Sequence, residues 1–258
     1  MPVPERMKQP IASARLLEPD KMAEARERLI VALDVPDTGA AENLVNRLEG
    51  QCQWFKVGME LFTAAGPAAV EMLVKRGHSV FLDLKFYDIP NTVAGAVRSA
   101  AGLGVRMVNV HAGGGPAMIE AARRALEGIA NPPELLAVTV LTSMDGTQLK
   151  AAGIERPAAN QVGLLARMCL ATGIRGFVCS PEEVAALREL TGPTGVLVTP
   201  GIRPQGAEAG DQRRLATPSA ALRAGASYIV VGRPITQAPD PAQAAEAILE
   251  EMAQAVAF

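Results

Sequence analysis

Eight short apolar runs, each followed by a helix-forming stretch, recur along the 258 residues without a linker or a break in composition. The runs occupy residues 29–35, 54–58, 79–85, 105–111, 135–141, 176–179, 196–199 and 228–231. Helices are expected over 40–48, 60–76 with an interruption at Gly66-Pro67, 92–103, 113–127, 157–172, from Ser180-Pro181 onward, 218–224 and 240–257. A strand that must reach a parallel neighbour needs a crossover, normally a helix, so this alternation predicts a parallel sheet. Eight even units favour a closed (β/α)8 barrel, an α/β fold, over a doubly wound open sheet. The expected division is an N-terminal extension with a short helix at 1–27 and one barrel domain at 28–258. Hydrophobic residues make up 49% of the chain but aromatics only 3%, so the core must be aliphatic, which suits helices packed on buried parallel strands.

Charge and cysteine content narrow the function classes. A net charge of −2 from 25 basic and 27 acidic residues gives no global attraction to nucleic acid or to an anionic membrane. The three cysteines, Cys52, Cys169 and Cys179, are widely spaced and suit reduced thiols better than disulfides or a zinc cage. No apolar run approaches the roughly 18 residues that read as a bilayer span, and residues 1–20 lack a signal-peptide core. A cytoplasmic location with no membrane or nucleic-acid partner is therefore expected.

The third apolar run closes in a dense polar sequence, Asp83-Leu84-Lys85-Phe86-Tyr87-Asp88-Ile89-Pro90-Asn91-Thr92. Strand alternation directs Asp83 and Lys85 to one side and Leu82 and Leu84 to the other. A lone pair of this kind at a strand mouth is usually a solvated ion pair worth little. Here Asp34 ends the first run and Lys56, on the same face as Trp54, lies in the second. Asp34, Lys56, Asp83 and Lys85 thus form an alternating cluster at the barrel mouth, joined by Asp88 from its loop; a structural salt-bridge network is the bland alternative. No metal and no cofactor are expected, because the two lysines would repel a cation. His111 has only His78 as a possible second imidazole and reads as a structural residue.

The last two strand ends carry another signal. Gly201-Ile202-Arg203 and Gly232-Arg233 follow runs seven and eight, the recurrent phosphate site of this fold. Glycines permit close backbone approach, and arginines supply forked donors for an anion. Gln212 offers a neutral donor in the same long loop, whereas Glu208 and Asp211 weigh against a pure anion trap. The other long loop, 142–156, is placed to cover the rest of a ligand.

These pieces, with Leu33-Asp34-Val35, Phe55-Lys56-Val57-Gly58, the 83–92 stretch, Val198 to Arg203 and Val231-Gly232-Arg233, resemble the orotidine 5′-monophosphate decarboxylase family. The resemblance spans Asp34 to Arg233. It implies decarboxylation of orotidine 5′-monophosphate to UMP, the last step of UMP synthesis, without a cofactor. It further implies that Asp34 and Lys56 bind the ribose hydroxyls, that Lys85 is the acid, and that Asp83 is the carboxylate beside the leaving group. Arg203, Gln212, Gly232 and Arg233 fall to the phosphate, and Thr142 or its neighbour Ser143 to the pyrimidine. Asp88 and Thr92 would reach into the neighbouring subunit's site, which implies a homodimer with shared active sites. Two rivals remain open: a barrel decarboxylase or aldolase acting with magnesium on a sugar phosphate such as 3-keto-gulonate 6-phosphate, and a silent phosphate-binding module.

Overall fold

A computed structural model describes residues 19–204 and 214–255. Its centre is a closed barrel of parallel strands in sequence order, with β8 pairing back onto β1. The strands are β1 (Leu29–Ala32), β2 (Trp54–Gly58), β3 (Ser79–Phe86), β4 (Met107–His111), β5 (Glu134–Val138), β6 (Gly176–Val178), β7 (Val196–Thr199) and β8 (Tyr228–Val231). The expected (β/α)8 architecture is the observed one.

Two apolar layers follow from strand alternation. Ile30, Trp54, Phe81, Met107, Leu136 and Val198 face inward and fill the lower barrel. Their neighbours Leu29, Val31, Phe55, Val57 and Leu82 face outward against the helices. Fully buried side chains such as Phe55, Phe81 and Leu73 each contribute roughly 1.5–3 kcal/mol. One step further along the inward positions the residues turn polar: Lys56 above Trp54, Asp83 above Phe81 and Asn109 above Met107. An apolar floor thus carries a polar roof at the C-terminal end of the strands.

Several element boundaries differ from expectation, each for a local reason. The interruption expected at Gly66-Pro67 is a full break into two helices, Met59–Ala65 and Pro67–Lys75, because Gly66 adopts φ 61° and ψ −150°, outside the helical region. β1 and β5 stop at Ala32 and Val138, short of the apolar runs that contain them. The loop expected over 142–156 contains a helix, Gly146–Ala151, capped by the Asp145 carboxylate, which accepts from the Gln148 N–H at 2.9 Å. A further short helix, Arg233–Thr236, follows β8 directly.

The helix Pro19–Arg28 packs against the last helix, Pro241–Ala255. Arg28 donates to the carbonyls of Ala226 (2.6 Å) and Ser227 (3.0 Å), just before β8. This helix covers the N-terminal end of the barrel and leaves the opposite end open.

Candidate active site

The open end holds a cavity of about 660 Å³. Asp34, Lys56, Asp83, Lys85, Thr142, Ser143, Arg203, Gly232 and Arg233 all line it, as do Met59, Glu60 and Gln237, which sequence reasoning did not single out. Asp88 and Thr92 do not; both are exposed, and the Asp88 carboxylate accepts from the Ile89 N–H at 2.6 Å. The single chain therefore does not bring Asp88 into the charge cluster. Gln212 lies outside the described residues.

The four charges of the cluster form a chain. Lys56 Nζ donates to Asp34 Oδ1 at 2.8 Å and lies 3.5 Å from Asp83 Oδ2. Lys85 Nζ donates to Asp83 Oδ1 at 2.7 Å. Lys56 and Asp83 are buried, Lys85 is partly buried, and Asp34 stands at the solvent edge. Burial alone would depress the Lys56 ammonium, but Asp83 and then Asp34 outweigh it and hold it above the usual lysine range. Burial alone would likewise raise Asp83; Lys56 and then Lys85 outweigh it and hold the carboxyl below its usual range. Both groups stay charged in a poorly solvated place, which costs desolvation energy that packing would not require.

Gly58 serves this geometry directly. A Cβ on it would stand 2.8 Å from Lys56 Nζ and 3.1 Å from Asp34 Oδ1, inside the space their ion pair uses.

β3 does not reach Lys85 by regular alternation. Against β4 the register runs Phe81↔Met107, Leu82↔Val108 and then Phe86↔Val110, so β3 advances four residues while β4 advances two. Lys85 sits in this bulge at φ 51°, a left-handed conformation that costs a residue with a Cβ about 1–2 kcal/mol. Its N–H, lost to the ladder, donates to Asn109 Oδ1 at 2.7 Å, and Asn109 Nδ2 donates to Asp83 Oδ1 at 2.7 Å. Asn109 was missed by sequence reasoning. The available signal was a carboxamide at an inward position within the apolar run Met107-Val108-Asn109-Val110.

His111 Nδ1 accepts from the Gly113 N–H at 3.0 Å, capping a short 3-10 turn, and its ring stacks on Tyr87. Burial, reinforced by the Lys85 charge, pushes this imidazole below 6.5. Its contacts are structural.

On the other side of the mouth, Gly201 takes φ 80°, in the left-handed region that favours glycine. Residues 202 and 216 form a backbone bridge, with the Arg203 N–H donating to the Ala216 carbonyl at 2.9 Å, so the segment after β7 leaves and returns at one point. Beside that point Arg214, also missed in the sequence, is buried in an ion pair with Glu183 and donates to the Leu141 carbonyl at 3.0 Å. Glu183 in turn accepts from the Ser180 N–H at 2.9 Å. This pair ties together the ends of β5, β6 and β7, next to Thr142. Among the described residues no group of three or more His, Cys, Asp or Glu is arranged to hold a metal ion.

Residues 27–248 match the family described as "Orotidine 5'-phosphate decarboxylase / HUMPS family". The chain belongs to it. Similar proteins named orotidine 5'-phosphate decarboxylase include that of Moorella thermoacetica, 55% identical over 234 residues that cover 88% of this chain and 93% of the relative. That of Halorhodospira halophila is 54% identical over 228 residues, covering 88% and 97% respectively. The crystal structure of orotidine 5'-phosphate decarboxylase from Lactobacillus acidophilus superposes with a TM-score of 0.76 at 42% identity, over 87% of this chain and 98% of that one. The family assignment covers the whole barrel, so it includes the charge chain and both arginines.

Proposed function

We propose that this protein decarboxylates orotidine 5′-monophosphate to UMP with release of CO2, in the cytoplasm, as a homodimer whose catalytic domain is residues 28–258. The observation that carries the reading is the convergence of Lys56 and Lys85 on Asp83 inside one cavity that also holds Arg203 and Arg233. A ligand in that cavity meets an ammonium–carboxylate chain at one end and two guanidinium groups at the other. A nucleoside monophosphate with a carboxylate on its base matches both ends.

In the reaction the C6–carboxylate bond breaks, its electron pair remains on C6, and CO2 leaves. The pair at C6 has no adjacent electron sink. The Lys85 ammonium stabilises it and then donates its proton, which closes the charge balance and leaves a neutral amine to be reprotonated by solvent. This interaction is stronger with the carbanion than with the substrate, so it lowers the barrier rather than only tightening binding. Asp83, fixed in its ionised form, lies beside the departing carboxylate and holds the two lysines in register. Asp34 and Lys56 take the ribose hydroxyls, and Thr142 or Ser143 the pyrimidine. Arg203, Gln212, Gly232 and Arg233 take the phosphate, whose binding energy helps to desolvate the reacting end.

Asp88 and Thr92 complete the neighbouring subunit's site. Support comes from the surface around them: Met59, Tyr87 and Ile89 are 57%, 64% and 67% exposed, large apolar side chains beside the cavity mouth that a second subunit would cover.

The direct test follows the ultraviolet change of orotidine 5′-monophosphate in the presence of EDTA. Turnover is expected, and 3-keto-gulonate 6-phosphate is expected to be inert. Turnover of the sugar phosphate alone, restored by magnesium, would replace this reading.

A further inference from the structure

We infer that Asn109 is a positioning residue for the chemical step, setting the direction of Lys85 through its backbone and the rotation of Asp83 through its carboxylate. The inference rests on the role proposed above for Lys85.

The bulge in β3 is the starting point. Two extra residues between Leu82 and Phe86 remove the Lys85 N–H from the β3–β4 ladder and leave Lys85 at φ 51°. A buried N–H without an acceptor, in a conformation unfavourable for a residue with a Cβ, would relax toward regular strand geometry. Such relaxation would re-aim the side chain and change its 2.7 Å contact with Asp83 Oδ1. Asn109 supplies the missing acceptor, and it is fully buried with both ends of its carboxamide engaged. The orientation of the amide is fixed by its partners, because a backbone N–H requires the oxygen and a carboxylate requires the NH2. Asp83 Oδ1 therefore receives two donors, Lys85 Nζ and Asn109 Nδ2, while Oδ2 faces Lys56. One side chain ties the backbone of the proton donor to the carboxylate that its ammonium touches. A carboxamide offers this acceptor and donor pair without carrying or needing to lose a charge.

The test compares N109A, N109S and N109D with the parent enzyme by kcat for orotidine 5′-monophosphate, affinity for UMP and thermal melting. N109A is expected to lose about 100-fold in kcat, as a displaced catalytic group does, with UMP affinity within about threefold of the parent. N109S, able to make one of the two bonds, should fall between and serves if N109A does not fold. N109D places a like charge against Asp83. Once protonated, the new carboxyl restores an O–H toward Asp83 and a carbonyl toward the Lys85 N–H. Relative to the parent, the kcat of N109D should therefore rise as pH falls, whereas N109A should keep the shape of the parent profile. The charged and titratable groups around that position are Asp83 and Lys85 from β3, Lys56 from β2, Asp34 after β1 and His111 on β4.

Folded N109A or N109S with parental kcat, or an equal loss of kcat and UMP affinity, would overturn the inference. An inactive parent would overturn the proposed reaction instead. The inference would then be decided by a crystal structure of N109S: Lys85 displaced from the left-handed region supports it, and an unchanged backbone refutes it.

Discussion

Lys56 and Lys85 approach one carboxylate from two sides: Lys56 Nζ lies 3.5 Å from Asp83 Oδ2 and Lys85 Nζ 2.7 Å from Asp83 Oδ1. Two ammonium groups this close to each other are tolerated because the shared anion and Asp34 offset their repulsion. The arrangement divides labour, since Lys56 is buried and tied to Asp34 as well as Asp83, whereas Lys85 is less buried, pairs with Asp83 and faces the cavity.

Replacing Lys85 should separate chemistry from binding. Lys85→Ala is expected to reduce kcat by about 10⁴-fold or more, the scale of a general acid combined with electrostatic stabilisation. UMP should still bind through the phosphate and ribose contacts. Single-turnover assays and UMP titration measure the two effects independently, and near-normal turnover would remove Lys85 from the acid role.

The proposed sharing of sites between subunits predicts complementation. Lys85→Ala and Asp88→Ala homodimers should both be inactive. Reassembling them together should restore activity, because half the sites of a mixed dimer carry intact Lys85 and Asp88. Mixed dimers verified by mass spectrometry yet inactive would assign Asp88 to its own subunit's site.

Gly58→Ala should damage function more than stability. The backbone there, φ −93° and ψ −176°, accepts alanine, and the atom it meets first is the flexible end of Lys56. The melting temperature should change little, while kcat/KM falls about 10- to 100-fold as the Lys56–Asp34 pair is displaced. A large drop in melting temperature with unchanged kcat/KM would contradict this.

The Glu183–Arg214 pair should behave as a buried ion pair. Arg214→Ala leaves the Glu183 carboxylate buried and uncompensated, and a loss of about 3–5 kcal/mol in urea unfolding is expected. Glu183→Leu combined with Arg214→Met should cost less than Arg214→Ala alone, because no charge is then left behind.

Stability should decline as pH falls below 6.5. Burial, aided by Arg76, pushes His78 below 6.5, and burial, aided by Lys85, does the same to His111. The unfolded chain then takes up protons before the folded one does, so unfolding is favoured from pH 6.5 down to the folded-state values. Glu134, whose carboxyl burial raises above 4.5, acts in the opposite direction. Urea unfolding at pH 7.5 and 5.5 should show the decline, and a variant with both histidines changed to glutamine should lose it.

The barrel was legible because its signals are local. Runs two, seven and eight coincide with β2, β7 and β8, and alternation correctly put Lys56 on the face of Trp54. The same rule gave Asp83 and Lys85 a common direction but missed how it is achieved. The bulge that carries Lys85 exists only in relation to β4, and nothing within 79–86 announces it. Asn109 and Arg214 were passed over for a related reason: each is recognisable by its partners, which lie 24 or more residues away along the chain.

The sequence by itself determined the eight parallel strands, the polar strand ends above apolar interiors, and the four charges Asp34, Lys56, Asp83 and Lys85 at the barrel mouth. Those follow from side-chain period and helix signals within a few residues of each position. Only the tertiary structure decided which oxygen each lysine reaches, why position 58 carries no side chain, and what holds Lys85 in a left-handed turn. These depend on the stagger between neighbouring strands, and stagger is settled by packing around the whole closed barrel rather than by any one segment.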